Sequence, residues 1–213
     1  MSRVSDVKEL IAGRAAAELR DGDVVNLGIG IPTLIPSFLN GRRVHLHSES
    51  GLLGVGPPAS PEETDLNLVD AGRQPVTVTP GASSFSSVDA FAMIRGGHID
   101  VTVLGALQVS RRGDLASWMV PGRDVLGVGG AMDLVVGAKK VIVATTHRDS
   151  SGRSKLVPEC TYPLTAENEV DVIVTELAVF DVQDGELVLR ELQPGVTKDE
   201  VAAATDAPFT SAI

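Results

Sequence analysis

This chain of 213 residues is marked first by what it lacks. It has one cysteine, Cys160, so no disulfide can close within it, and a cytoplasmic setting is the simplest expectation. Phe, Tyr and Trp make up only 3% of it, so the core must be built mainly from Val, Leu, Ile and Ala. No apolar run reaches the roughly 18 residues of a membrane helix, so no membrane span is expected. Met1 to Arg20 carries Asp6, Lys8, Glu9, Arg14, Glu18 and Arg20 without an uninterrupted apolar stretch, so no signal peptide is expected. Lys and Arg number 18 against 28 Asp and Glu, for a net charge of −10, which argues against a nucleic-acid surface.

Several chemical signatures are also missing. His45, His47, His98 and His147 show no metal-ligand spacing, and Cys160 has no C-x-x-C partner, so no metal is expected. A G-x-S-x-G elbow is absent, which counts against a serine hydrolase. Gly28-Ile29-Gly30 and Gly54-Val55-Gly56 do not complete G-x-G-x-x-G. Their simplest reading is close packing of loops at a sheet edge.

The composition that remains, 43% apolar and 22% charged, is that of a folded domain with a sizeable core, read as one unit over 1–213. Helical spacing of Val7, Leu10, Ile11 and Ala15 predicts an amphipathic helix over Val7 to Leu19. Val24 to Leu27 reads as a strand, Pro32 opens a helix over Thr33 to Leu39, and Arg43 to His47 is the next strand. Leu66 to Val69 and Val76 to Thr79 are further expected strands, and Pro57 to Glu63 a polar loop or lid. A cap within Ser83 to Ser87 starts a helix through Ile94, with Phe85, Val88, Phe91 and Met93 available to the core. Ile99 to Leu104, Lys139 to Thr145 and Val170 to Thr175 have the continuous apolar character of strands buried on both faces. Val179 to Val182 and Leu187 to Leu189 flank Asp184-Gly185 as a hairpin, and Thr197 with Glu200 forms a capping box. Strands alternating with helices predict an α/β class with an open, mostly parallel sheet.

In that frame Glu49 stands at the end of the apolar run Val44 to Leu46, just before Gly51 and Gly54. A carboxylate at the carboxyl end of a strand is where open α/β sheets place ligands, and it can serve as base, ligand or nucleophile. The plainer reading is a solvated loop residue. Gly127-Val128-Gly129-Gly130-Ala131-Met132 can turn successive N–H groups toward one point, or simply make a tight strand-to-helix turn. His47 reads as a packed, hydrogen-bonded side chain that would share Glu49's face on a strand, and Cys160 as a small buried hydrophobe.

The stretch His47-Ser48-Glu49-Ser50-Gly51-Leu52-Leu53-Gly54 resembles the serine-glutamate-asparagine-glycine segment of class I CoA-transferase B subunits. Asn26-Leu27-Gly28-Ile29-Gly30-Ile31-Pro32-Thr33, Met93 to Asp100, Gly113-Asp114-Leu115-Ala116 with Trp118, Gly129 to Leu134 and Cys160 to Thr165 resemble the same family, in its order, from about Ile11 to Thr205. The resemblance implies the NagB/RpiA/CoA-transferase-like fold and an activity like that of 3-oxoacid and 3-oxoadipate CoA-transferases. It implies Glu49 as nucleophile, backbone N–H groups of Gly129, Gly130 and Ala131 as oxyanion and CoA contacts, and Ser50, Gly51, Gly28 and Gly30 as the supporting loops. Coenzyme A enters as substrate and covalent intermediate, with no permanently bound cofactor. A separate A subunit is implied, in an αβ or α2β2 assembly. Two departures stand out: Ser50 and Ser117 occupy positions where the family usually has asparagine, which sacrifices the amide's second donor. The rival readings are an acyl-CoA hydrolase of the same fold and a degenerate CoA-binding subunit.

Overall fold

A computed structural model describes residues 3–70, 72–122 and 127–213, with the side chains of residues 3–5 left aside. Helix α1 covers Arg3–Ala16 and strand β1 Val24–Leu27. A 3-10 helix over Ile31–Phe38 leads to β2 (His45–Ser48), β3 (Leu52–Pro58) and β4 (Val76–Ser84). Helix α2 (Ser87–Arg95) precedes β5 (Val101–Leu104), followed by the short β6 (Gln108–Ser110) and β7 (Leu115–Ala116). Helix α3 (Ala131–Gly137), β8 (Val141–Ala144), β9 (Leu156–Val157) and β10 (Val172–Val174) come next. The hairpin β11 (Ala178–Gln183) and β12 (Glu186–Leu192), helix α4 (Lys198–Ala204) and β13 (Phe209–Ser211) complete the order.

Ten strands form one open sheet in the order β13-β12-β11-β10-β8-β5-β1-β2-β3-β4. Its middle, from β10 to β2, is parallel throughout. Antiparallel hairpins extend it on both sides. The chain leaves β1 toward β2 and later returns to β1's other side as β5, so the connections diverge above the carboxyl ends of β1 and β5. Such a switch point opens a crevice.

Every residue of β5, β8 and β10 is buried, as their apolar runs predict for strands covered on both faces. One face packs Val25, Leu46, Val101, Val103 and Ile142 under Ile11, Ala12 and Ala15 of α1 and Ile35 of the 3-10 helix. The other buries Val143, Ile173, Phe180 and Leu189 with Ile94, Leu134 and Val201 from α2, α3 and α4.

Several expectations are corrected. Leu66 to Val69 is not a strand: only Val69 bridges, to Pro75, and Leu66 is 80% exposed. The helix opened by Pro32 is 3-10 rather than α, and it carries a second proline, Pro36, inside it. Pro57 and Pro58 belong to β3, not to a loop. In α2 the buried residues are Ala90 and Ile94, while Val88 is 76% exposed. Leu10 is likewise on α1's outer side, since Ile11, Ala12 and Ala15 set the buried stripe. The Thr197–Glu200 capping box and the Asp184-Gly185 turn are as expected.

Candidate active site

Glu49, Ser50 and Gly51 are the three-residue connection of the β2–β3 hairpin, closed by Gly51 N–H to Ser48 O at 3.0 Å. A three-residue hairpin turn needs a residue with positive φ at its end. Gly51 supplies it, with φ of +108°. A Cβ there would lie 2.1 Å from the Phe85 carbonyl oxygen, so no larger residue fits. The Ser48 and Ser50 hydroxyls, 2.7 Å apart, tie the turn from within. Glu49 is thus presented at the tip of a stiff turn, at the carboxyl end of β2.

It faces a cleft of about 490 Å³ at the switch point. Gly28 and Ile29 after β1 form one wall, and Gly105, Ala106 and Leu107 after β5 the floor. Ser117, Trp118 and the segment from Gly127 to Ala131 complete the lining. Gly130 approaches Glu49 closely: a methyl on it would stand 3.6 Å from Glu49 Cγ and 3.1 Å from Phe91 Cζ. The backbone passes from φ of +58° at Gly129 to −87° at Gly130. Such alternation turns successive N–H groups toward one point and suits a developing oxyanion.

The carboxylate is held from below. Asn26 of β1 donates from Nδ2 to Glu49 Oε2 at 3.2 Å, and the same nitrogen lies 3.2 Å from His47 Nδ1. Register explains the meeting: Asn26 is the neighbour of His47 in β2 and of Thr102 in β5. Together the three make a polar row across the sheet, each at most 4% exposed. His47 stacks on Phe85, and burial drives its pKa below the ordinary histidine value despite the opposing pull of Glu49.

Of the residues singled out in the sequence, Glu49, Gly28, Gly129, Gly130 and Ala131 line this one cleft. Ser50 is exposed and turned to Ser48, so it shapes the turn rather than the cleft. Gly51 acts through the turn as well. Gly28 is the close-packed loop residue expected: its N–H donates to Val103 O at 2.8 Å and a Cβ would meet Leu104 at 3.0 Å. Gly30 departs from that expectation, having φ of +98° and open space around it; it is the hinge into the 3-10 helix. Ser117 and Thr165 share a hydroxyl contact of 2.8 Å, and Trp118 Nε1 donates to Leu164 O at 3.2 Å, which fixes that end of the cleft. His47 is buried and hydrogen-bonded as expected. Its link to Glu49 is not a shared strand face, because β2 ends at Ser48; the link runs through Asn26.

Sequence reasoning gave Asn26 no role. The signal was a polar residue inside the apolar run Val24-Val25-Asn26-Leu27, two positions before a glycine turn. Cys160 is half-buried and bonded to Asp114 O at 3.5 Å; burial pushes its thiol up to about 12, so it stays protonated. Among the described residues no three His, Cys, Asp or Glu side chains come together as a metal site, and no helix is long and apolar enough to cross a membrane.

A family profile described as "Coenzyme A transferase" matches residues 8–204. The chain belongs to the coenzyme A transferase family. It is 49% identical over 203 residues to the B subunit of the succinyl-CoA:3-ketoacid coenzyme A transferase of Helicobacter pylori, covering 95% of this chain and 98% of that one. It is 51% identical over 205 residues to the beta chain of the acetate CoA-transferase of Escherichia coli K12, covering 96% and 94%. These matches identify the chain as a CoA-transferase subunit of the B type. Among solved structures it resembles the acyl-CoA transferase (YdiF) apoenzyme of Escherichia coli O157:H7, with a TM-score of 0.77 at 21% identity. That match covers 97% of this chain and 42% of the longer one, and it speaks to the fold.

Proposed function

We propose that this chain carries the nucleophile of a CoA-transferase that moves CoA from an acyl-CoA, succinyl-CoA in the first instance, to a 3-oxo acid through a glutamyl–CoA thioester on Glu49. The observation that carries the reading is the close approach of Glu49, at the tip of the β2–β3 turn, to the Gly129–Ala131 backbone in a cleft at the carboxyl ends of β1, β2 and β5.

The chemistry follows from that meeting. A Glu49 carboxylate oxygen attacks the thioester carbon, and the C=O becomes an oxyanion next to the Gly130 and Ala131 N–H groups. The C–S bond breaks, CoA leaves as thiolate, and an acyl–glutamyl anhydride remains. The thiolate attacks the glutamyl carbonyl and expels the donor's carboxylate, leaving CoA on Glu49. An acceptor carboxylate then runs the two steps in reverse. Anhydride and thioester are close in energy to the substrate, so no step falls into a trap. Asn26 Nδ2 holds one carboxylate oxygen and leaves the other to attack. Gly130 has no side chain to stand between nucleophile and substrate.

The covalent intermediates must be kept from water. The cleft is open to solvent at Ile29, a lining residue that is 68% exposed, and Met132, next to the lining residue Ala131, is 38% exposed. We infer that an A subunit covers the open side of the cleft in an αβ or α2β2 assembly, that the pair works in the cytoplasm, and that Ser50 and Ser117 leave the enzyme active because Glu49, Gly51 and the Gly129–Leu134 segment remain.

The test is intact-mass analysis of the chain with its A subunit and succinyl-CoA, without acceptor. A CoA adduct that maps to Glu49, is absent in Glu49→Ala and is erased by borohydride is expected. Free succinate accumulating without an adduct would replace this reading with the hydrolase. No adduct and no turnover with any of a panel of acyl-CoAs would replace it with a non-catalytic subunit.

A further inference from the structure

We propose that His47 is a positioning residue for the Glu49 carboxylate, acting through the Asn26 side-chain amide, whose orientation it fixes by presenting an unprotonated Nδ1. The proposal rests on the reading of Glu49 as nucleophile.

The geometry leaves little freedom. Asn26 Nδ2 has two hydrogens and no lone pair to offer. Its neighbours are Glu49 Oε2 and His47 Nδ1, each at 3.2 Å. One hydrogen goes to each, so His47 Nδ1 accepts and the ring's proton sits on Nε2. The opposite orientation would set Asn26 Oδ1 against the carboxylate, oxygen to oxygen. It becomes the better arrangement only when Nδ1 gains a proton and needs an acceptor. His47 therefore selects between an amide that holds Glu49 and one that repels it.

The surroundings favour the first state. His47 is 4% exposed and stacked on Phe85. Glu49 is the charge that raises its pKa; Asp70 lines a cavity shared with His47, and β1, β5 and the segment before α2 contribute the uncharged Asn26, Thr102 and Phe85. Burial outweighs Glu49 and favours the neutral ring. The remaining atoms of the row, Asn26 Oδ1, His47 Nε2 and Thr102 Oγ1, are buried without a hydrogen-bond partner among the described residues. Such a row is costly for stability alone. A catalytic duty accounts for its retention.

Two measurements test this. Imidazole 15N shifts of the histidine-labelled full chain, assigned with His47→Asn, are expected to show Nε2 protonated and Nδ1 bare at neutral pH. An Nδ1–H or charged ring at pH 7 would overturn the proposal, whatever the activity. In the complex with the A subunit, single-turnover CoA transfer from succinyl-CoA onto Glu49 is expected to slow about tenfold in His47→Leu, with an unchanged half-saturating succinyl-CoA concentration. His47→Asn sets a non-titrating acceptor near the Nδ1 position. It should recover most of the rate and move the acid limb of the pH profile to lower pH. If His47→Leu fails to fold, the Asn variant and the ring shifts still decide. A wild-type rate in His47→Leu alongside a dead Glu49→Ala would reject His47 and keep Glu49. An unaffected Glu49→Ala would reject the nucleophile instead, while the ring shifts would still settle the tautomer.

Discussion

Two buried histidines sit in opposite halves of this molecule, and they are finished differently. His147, in the half built by β8, β10 and α4, has both ring nitrogens bonded, Nδ1 to Thr175 Oγ1 at 3.1 Å and Nε2 to Thr205 Oγ1 at 2.9 Å. The Thr205 hydroxyl donates to Val201 O, so its oxygen accepts from His147 Nε2. His47 carries the same tautomer, yet its Nε2 has no partner among the described residues, and neither do two further atoms of its row. No residue of the closed cluster lines the cleft, whereas Asn26 of the open one bonds to Glu49. Buried polar groups are normally satisfied when their task is structural. An incompletely bonded row in an otherwise well-bonded interior fits the positioning role proposed for it beside Glu49.

The comparison breaks most severely at the turn above the open row. Gly51→Ala demands a positive φ from a residue with a side chain and drives a Cβ to 2.1 Å from the Phe85 carbonyl. The cost is about 4 kcal/mol. Urea unfolding should show it as a lowered midpoint with an unchanged slope, and CoA transfer should be lost in whatever remains folded, because the β2–β3 turn must move.

The closed cluster should fail next, under acid. Burial lowers the pKa of His147 to about 4 from an ordinary 6.5. The folded state therefore binds fewer protons than the unfolded one between these values, and stability falls as pH falls. The contribution is fully present above pH 6.5 and is lost on going down through pH 4. Its size is about 3 kcal/mol. Thermal unfolding of the wild type and of His147→Asn across pH 7 to 4 measures it, and the variant should lose that share of the acid sensitivity.

Much of this architecture is legible in the sequence, for identifiable reasons. Val101 to Leu104, Val141 to Ala144 and Val172 to Val174 announce buried parallel strands because nothing polar except Thr102 interrupts them. Thr197 and Glu200 announce α4 because a capping box is a local device. β3 was hidden, since Leu-Leu-Gly-Val-Gly-Pro-Pro has the composition of a loop; Gly54 and Gly56 are there because Ala82 and the Thr77 backbone crowd them from β4. α3 was hidden too, being only seven residues long and opened by two glycines without a side-chain cap. Glu49 and the Gly129–Ala131 segment were legible by position and by resemblance. Asn26 was not, because its role depends on register with β2, and pairing between separate strands of the chain is a tertiary fact.

Smaller effects sharpen the contrast within the two rows. Thr175 Oγ1 accepts from Leu177 N–H at 3.2 Å and Ala178 N–H at 3.1 Å, and it also contacts His147 and Ala178 O. Thr175→Val leaves those donors and the imidazole without their partner, at a cost of about 2 kcal/mol. Differential scanning calorimetry should register it as a clear loss of Tm.

The same substitution in the open row should have the opposite sign. Thr102 is fully buried, and its hydroxyl has no partner among the described residues. In Thr102→Val a methyl of nearly the same shape replaces that oxygen, and the desolvation penalty disappears with it. The strand β5 loses nothing, since Val is as good a strand residue as Thr and the backbone N–H of residue 102 still donates to Lys140 O. A gain of about 1 kcal/mol is expected, seen as a higher urea midpoint. A loss instead would mean that the hydroxyl is bonded after all, and that the polar row under Glu49 is as closed as the one around His147.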